Sequence, residues 1–136
     1  MSVAAKPPRP GADLEDCVAV VDDEFLIAAG LTMQLEELGM TVCGTAATAD
    51  EALALVQANR PAVVLMDVRL AGELDGVDAA LAIHETVGSK VIFVTGSREP
   101  ATLERIQKDH AAGVLFKPVT ARQLSAAIQT ALAPQG

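Results

Sequence analysis

The sequence predicts an α/β fold, a doubly wound sheet of five parallel strands with helices on both faces. Three observations carry that expectation. Five short apolar runs rich in Val and Ile recur along the chain: Cys17–Val21, Met40–Thr45, Ala62–Met66, Lys90–Thr95 and Gly113–Phe116. Runs of about 4–6 residues of this kind suit strands buried on both faces. Between them lie segments with helical periodicity and helix-end signals, and such alternation implies right-handed βαβ crossovers. The length of 136 residues suits a single domain.

In chain order, residues 1–15 hold three prolines and read as a flexible tail, with the folded domain over 16–133. The first strand leads to a helix whose Leu31, Leu35 and Leu38 share one face and which stops at Gly39. Thr48 and Glu51 form a capping box for the second helix, as do Thr120 and Gln123 for the last. Leu124, Ala127, Ile128, Ala131 and Leu132 then form one apolar stripe. Pro100 suits the first turn of the fourth helix, where its missing N–H is not needed.

Composition narrows the function. Hydrophobic residues are 51% and charged residues 21% of the chain, enough to bury a core. Aromatics are only 2%, which argues against stacking on bases or sugars. The net charge of −8 argues against nucleic acid. Cys17 and Cys43 lack metal-ligand spacing and read as buried thiols of a reducing compartment. No apolar run approaches membrane-spanning length, and the N-terminus has no apolar signal core, so the expected location is cytoplasmic with no membrane partner.

In sheets of this class, ligands bind beyond the carboxyl ends of the strands. Here the first run ends in Asp22-Asp23-Glu24, the third in Asp67 and the fourth in Thr95-Gly96, while Lys117-Pro118 follows the fifth. The second run ends in Thr45-Ala46-Ala47, without charge. If the strand order is 2-1-3-4-5, the four polar ends are neighbours and the empty one lies at the edge. Clustered carboxylates repel and call for a cation. Oxygen ligands without His or Cys favour a hard ion, and magnesium needs only one or two carboxylates. Asp67 is then placed as a nucleophile able to form an acyl phosphate. The Lys117 ammonium and the Thr95 hydroxyl are placed to meet the charge on a phosphoryl group in flight. His84 and His110, assigned to helices, have no partners at ligand spacing and read as surface or packing residues.

The chain resembles a two-component response-regulator receiver over roughly residues 16–133. The resemblance rests on VVDDE at 20–24, VVLMDVRL at 63–70, DGVDAA at 75–80, FVTGS at 93–97 and FKP at 116–118. It implies a CheY-like, flavodoxin-like sheet in the order 2-1-3-4-5. It implies Asp67 as phospho-acceptor, Thr95 as switch hydroxyl and Lys117 as its cationic partner. For Mg2+ it implies Asp23 as a direct ligand, Asp22 as one acting through water, Asp67 itself and the backbone carbonyl of Arg69. The implied donor is a phosphohistidine on a sensor histidine kinase or phosphotransfer protein. Receivers also form homodimers, through the helix 4–strand 5–helix 5 face or through helices 1 and 5. Three residues after Ala133 leave no room for an effector domain, so a stand-alone regulator is expected, with an unknown downstream protein as target. It is expected to be a self-catalysed phospho-acceptor rather than a turnover enzyme. The alternative is a scaffold that uses the fold without being phosphorylated.

The departures from the family pattern lie on the output side. Many receivers carry a Tyr or Phe three residues before the lysine, where this chain has Val114. Phe116 is expected on the opposite side of the strand. Leu70-Ala71 stand where Met-Pro is common, and the segment to Gly76 is one residue longer. FVTGS resembles the F-A-T-G motif of a subgroup without the aromatic switch, with Val94 as a departure. Arg69 and Ser97 are expected to border the phosphoryl group, with Arg69 pairing with Glu24, covering that group or standing as a solvated arginine.

Overall fold

The computed structural model describes residues 14–133. The tail expected over 1–15 lies outside this span except for its last two residues, and Glu15 already opens the first strand. The elements follow one another as β1 (Glu15–Val21), α1 (Phe25–Glu37), β2 (Thr41–Ala46), α2 (Ala49–Asn59), β3 (Pro61–Met66), α3 (Gly76–Thr86), β4 (Lys90–Thr95), α4 (Pro100–Lys108), β5 (Ala111–Phe116) and α5 (Ala121–Leu132). The strands form one parallel sheet in the order β2-β1-β3-β4-β5, as expected.

The strand alternation divides the core in two. Ala19, Val21, Val64, Met66, Val91 and Phe93 pack against α2, α3 and α4. Val18, Val20, Val63, Leu65, Ile92 and Val94 pack against α1 and α5. Period-two side chains on a sheet covered twice give this result, and it explains why the strands read as continuous apolar runs. Coverage is uneven. In α4 Ile106 is the buried residue, and every residue of the neighbouring edge strand β5 is only half-buried.

The helix ends follow the expected chemistry with one exception. Thr120 and Gln123 form a complete capping box, and Pro100 stands in the first turn of α4. Thr48 caps α2 by accepting the Glu51 N–H, but the Glu51 carboxylate accepts from Ala47 instead of Thr48. That box is closed one residue early. Gly39 takes a φ of +84° after α1, a region open to glycine. A further box, Asp75 with Asp78, caps α3 and was not anticipated from the sequence.

Two of the expectations for single side chains need correction. Phe116 does not face away from position 114, because residues two apart in a strand share a face. Val114 packs on the α2–α3–α4 side, and the Phe116 ring lies beneath Arg98 of the β4–α4 loop. His110 lies beyond the end of α4, and its ring stacks on His84 with centroids 3.8 Å apart, a packing role. Cys17 and Cys43 sit on adjacent strands, Cys43 in a break of the β1–β2 register. Both are half-buried rather than buried as expected; desolvation and the neighbouring Cys17 push the Cys43 thiol up to about 12, which disfavours its thiolate.

The start of α3 is fixed from two sides. The Gly76 N–H donates to the Val68 carbonyl at 2.7 Å, and a Cβ at Gly76 would collide with the backbone carbonyl of Asp67. Arg105 of α4 reaches across to Asp75 through a fork of 2.6 and 3.2 Å and lies 3.6 Å from Asp78. Burial alone would raise the Asp75 pKa, but hydrogen bonds from Arg105 and from Asp78 outweigh it and hold the carboxyl below its ordinary value.

Gly76→Ala is therefore expected to destabilise the domain by roughly 3 kcal/mol, the upper part of the overpacking range, as read by urea denaturation. The Arg105–Asp75 pair is half exposed and should contribute under about 1 kcal/mol. Because the folded pKa of Asp75 is depressed, this contribution is present above the ordinary value of 3.8. It is lost as pH falls through the lower folded value. Urea midpoints of wild type and Arg105→Ala should differ at neutral pH and converge in acid; a constant gap would contradict this.

Candidate functional site

Four strand ends meet at the carboxyl edge of the sheet. The Asp22 N–H donates to Ala46 at the end of β2, and the Asp67 N–H donates to Val21 at the end of β1, both at 2.9 Å. The Lys117 N–H donates to the Thr95 carbonyl at 2.9 Å, tying β5 to β4. These continuations of the strand ladders fix the backbones of the first polar residues beyond each strand. Their side chains converge because neighbouring strands stop at the same level.

Asp22, Asp67 and Thr95 are buried, at 3%, 6% and 2% exposure, while Asp23 is exposed. The Lys117 ammonium bridges the two buried acids, 3.0 Å from Asp22 Oδ2 and 3.2 Å from Asp67 Oδ2. Burial, and next the nearby Asp22 charge, raise the Asp67 pKa, with Lys117 and the Arg69 backbone N–H opposing. Burial alone would pull Lys117 down, but its hydrogen bond to Asp22 and the field of Asp67 prevail, so its pKa is raised. Lys117 is therefore a fixed cation throughout the neutral range.

The remaining Asp22 oxygen accepts the Glu24 N–H at 2.9 Å, which orients that carboxylate. One carboxylate oxygen from each of Asp22, Asp23 and Asp67 lies within 4.8 Å of the others, a spacing at which they can share one cation. Three oxygen donors without nitrogen or sulfur suit a hard divalent ion such as Mg2+. The residues present thus fit the ion expected from the sequence.

Above these acids opens a cavity of about 710 Å3, lined among others by Asp23, Asp67, Thr95 and Lys117, with Arg69 and Arg98 also on its wall. The Thr95 hydroxyl accepts the Ser97 N–H at 3.0 Å, so the β4–α4 loop is anchored on the expected switch residue. Among the described residues, Arg69 forms no ion pair with Glu24, although both line this cavity. Every residue singled out from the sequence, Asp22, Asp23, Asp67, Arg69, Thr95 and Lys117, lies at this one edge. Arg98 was missed, since its contact with Phe116 joins positions 18 apart without any local pattern. A second, apolar cavity of about 370 Å3 lies beside the first, between α1 and the β5–α5 loop.

The family model for the response regulator receiver domain matches residues 18–129. The phyllosphere-induced regulator PhyR of Methylorubrum extorquens is 33% identical over 122 residues, covering 89% of this chain and 45% of that protein. The transcriptional regulatory protein PdtaR of Mycobacterium tuberculosis is 31% identical over 115 residues, covering 85% of this chain and 56% of that protein. The chain therefore spans about half the length of these curated relatives. Among solved structures, the receiver domain of a modulated diguanylate cyclase from Desulfovibrio desulfuricans G20 superposes with a TM-score of 0.82 at 37% identity. It covers 88% of this chain and 94% of that one. The receiver domain of Erythrobacter litoralis PhyR gives a TM-score of 0.76 at 29% identity, over 90% of this chain and 97% of that one. Sheet order, strand-end chemistry and these similarities agree, and the chain belongs to the response regulator receiver domains of two-component signalling.

Proposed function

We propose that Asp67 accepts a phosphoryl group from a phosphohistidine of a sensor kinase or phosphotransfer protein, and that the modified domain signals through altered protein contacts. The observation that carries this reading is the Lys117 ammonium held between buried Asp22 and Asp67 at 3.0 and 3.2 Å. A surface lysine has no reason to be fixed between two carboxylates at a strand edge, whereas a phosphoryl-transfer site needs a cation there.

In the transfer, an Asp67 carboxylate oxygen attacks phosphorus and the phosphorus–nitrogen bond of the donor breaks. The bonding pair leaves with the imidazole, which takes a proton from solvent. Lys117 then faces one phosphoryl oxygen and the Thr95 hydroxyl turns to donate to another. Asp22, Asp23, Asp67 and the Arg69 carbonyl would hold Mg2+, which when bound supplies positive charge to offset the carboxylates and the phosphoryl oxygens. Hydrolysis reverses the modification: water attacks phosphorus and Asp67 leaves as a carboxylate. The attacking group is already a carboxylate, so the transfer requires no general base, and the domain acts as a self-catalysed acceptor rather than a turnover enzyme.

The donor surface is α1. Phe25 and Leu26 are each 81% exposed beside the catalytic edge, and the apolar cavity between α1 and the β5–α5 loop adjoins them. Gln34 donates to the Val119 carbonyl at 3.0 Å and holds α1 to that loop. An apolar helix face next to the acceptor fits a helical partner that presents its histidine to Asp67.

Incubation with Mg2+ and a small acyl phosphate should add one phosphoryl group by intact mass, and Asp67→Asn should add none. An unmodified wild type would leave a binding scaffold as the surviving reading. Lys117→Ala should slow modification about a hundredfold, the loss expected on removing one oxyanion-stabilising group.

A further inference from the structure

Val114 stands where many receivers carry the ring that follows the phosphoryl group, yet a ring does stand against the loop that Thr95 anchors. Phe116 pairs in register with Thr95 and precedes Lys117, whose N–H is bonded to the Thr95 carbonyl. The Arg98 guanidinium carbon lies 4.0 Å from the centre of that ring. Arg98 also lines the cavity above Asp67, and among the described residues it makes no ion pair. In a chain of net charge −8, with Glu99 next in sequence, an arginine committed to a ring instead of a carboxylate is unusual.

The arrangement has two competing resting places for one cation. An exposed cation–π contact is weak, whereas a guanidinium meeting phosphoryl oxygens makes short, paired, charge-assisted bonds. The path between them is short in sequence. Arg98 follows Ser97, whose N–H donates to the Thr95 hydroxyl at 3.0 Å, and Ser97 Oγ in turn accepts the Glu99 N–H at 3.2 Å. When the Thr95 hydroxyl turns toward a phosphoryl oxygen, Ser97 loses its acceptor and the loop carrying Arg98 is released.

We propose that Arg98 and Phe116 are the switch pair of this domain: the guanidinium covers the ring while Asp67 is free and moves to the phosphoryl oxygens when Asp67 is modified. Phe116 is thereby uncovered at the end of β5, beside the lightly anchored α4. The inference rests on Asp67 being the phospho-acceptor, and Arg98 acts in it by contacting the phosphoryl oxygens directly.

The test uses arginine side-chain NMR on the intact chain, with intact mass as an independent measure of modification. In the free protein, the Arg98 Nε–H resonance, identified by its loss in Arg98→Lys, should be shifted upfield by the Phe116 ring. The shift should vanish in Phe116→Leu, and in wild type when Mg2+ and beryllium fluoride occupy the site. Arg98→Ala should shorten the phosphoryl lifetime about tenfold, the loss of one charge-assisted contact. Mass showing full modification while the Arg98 resonance stays at its shifted position would overturn the switch and leave the acceptor reading intact. So would an unchanged lifetime in Arg98→Ala. A chain that never gains the phosphoryl mass would overturn both.

Discussion

The contact on which the carboxyl edge of the sheet depends is that of one ammonium with two buried carboxylates. Asp22 and Asp67 lie at neighbouring strand ends and are almost removed from solvent, an arrangement that like charges resist. Lys117 offsets the repulsion from a third strand, and the backbone bond from Lys117 to Thr95 fixes where it stands. The sheet therefore has to align β1, β3, β4 and β5 for the edge to be electrostatically tolerable. The order β2-β1-β3-β4-β5 does this with the uncharged end of β2 at the margin. Removing one partner of such a group leaves the other charge buried and uncompensated, which is more damaging than the pair is stabilising.

The same edge shows why so much of this protein was legible in its sequence. Strands buried on both faces read as apolar runs, so the polar residue that ends each run marks the carboxyl edge of the sheet without any knowledge of contacts. Asp22, Asp67 and Thr95 were found in this way, and each is buried at that edge. Strand limits were legible to within one or two residues: β1 opens at Glu15 rather than Cys17, and β5 at Ala111 rather than Gly113. What stayed hidden were contacts between side chains far apart in sequence, such as Arg105 with Asp75 across 30 positions. The placement of Phe116 failed for a different reason. It applied the alternation of adjacent residues to a pair two apart, and the parity of the strand puts 114 and 116 together.

The helices are held unequally against the sheet, α4 least of all. The α1–α5 face contributes Leu31, Leu35, Leu124 and Ile128 to a dense cluster, while α4 contributes Ile106 as its buried residue. Elements with few buried contacts open at lower free energy than those in the core. The least anchored part of this domain is thus α4 and the loop before it, and both reach the site: α4 through Thr102 on the wall of the cavity, the loop through Thr95 and Ser97.

A receiver must combine a rigid acceptor with a movable reporter, and in this chain the two requirements fall on different kinds of structure. Asp22, Asp67 and Lys117 directly follow strands whose ladders hold them, so their geometry is set before any ligand arrives. Arg98 stands on a loop whose bond to Thr95 is one that phosphoryl chemistry would itself disturb. A ring at position 114 would be one way to carry that disturbance along β5. With valine there, packed on the α4 side of the sheet, the aromatic surface available to report on Thr95 is Phe116, its partner in the register. On the proposed switch, the loss of the usual ring would shorten the route, because Phe116 stands in register with Thr95 itself.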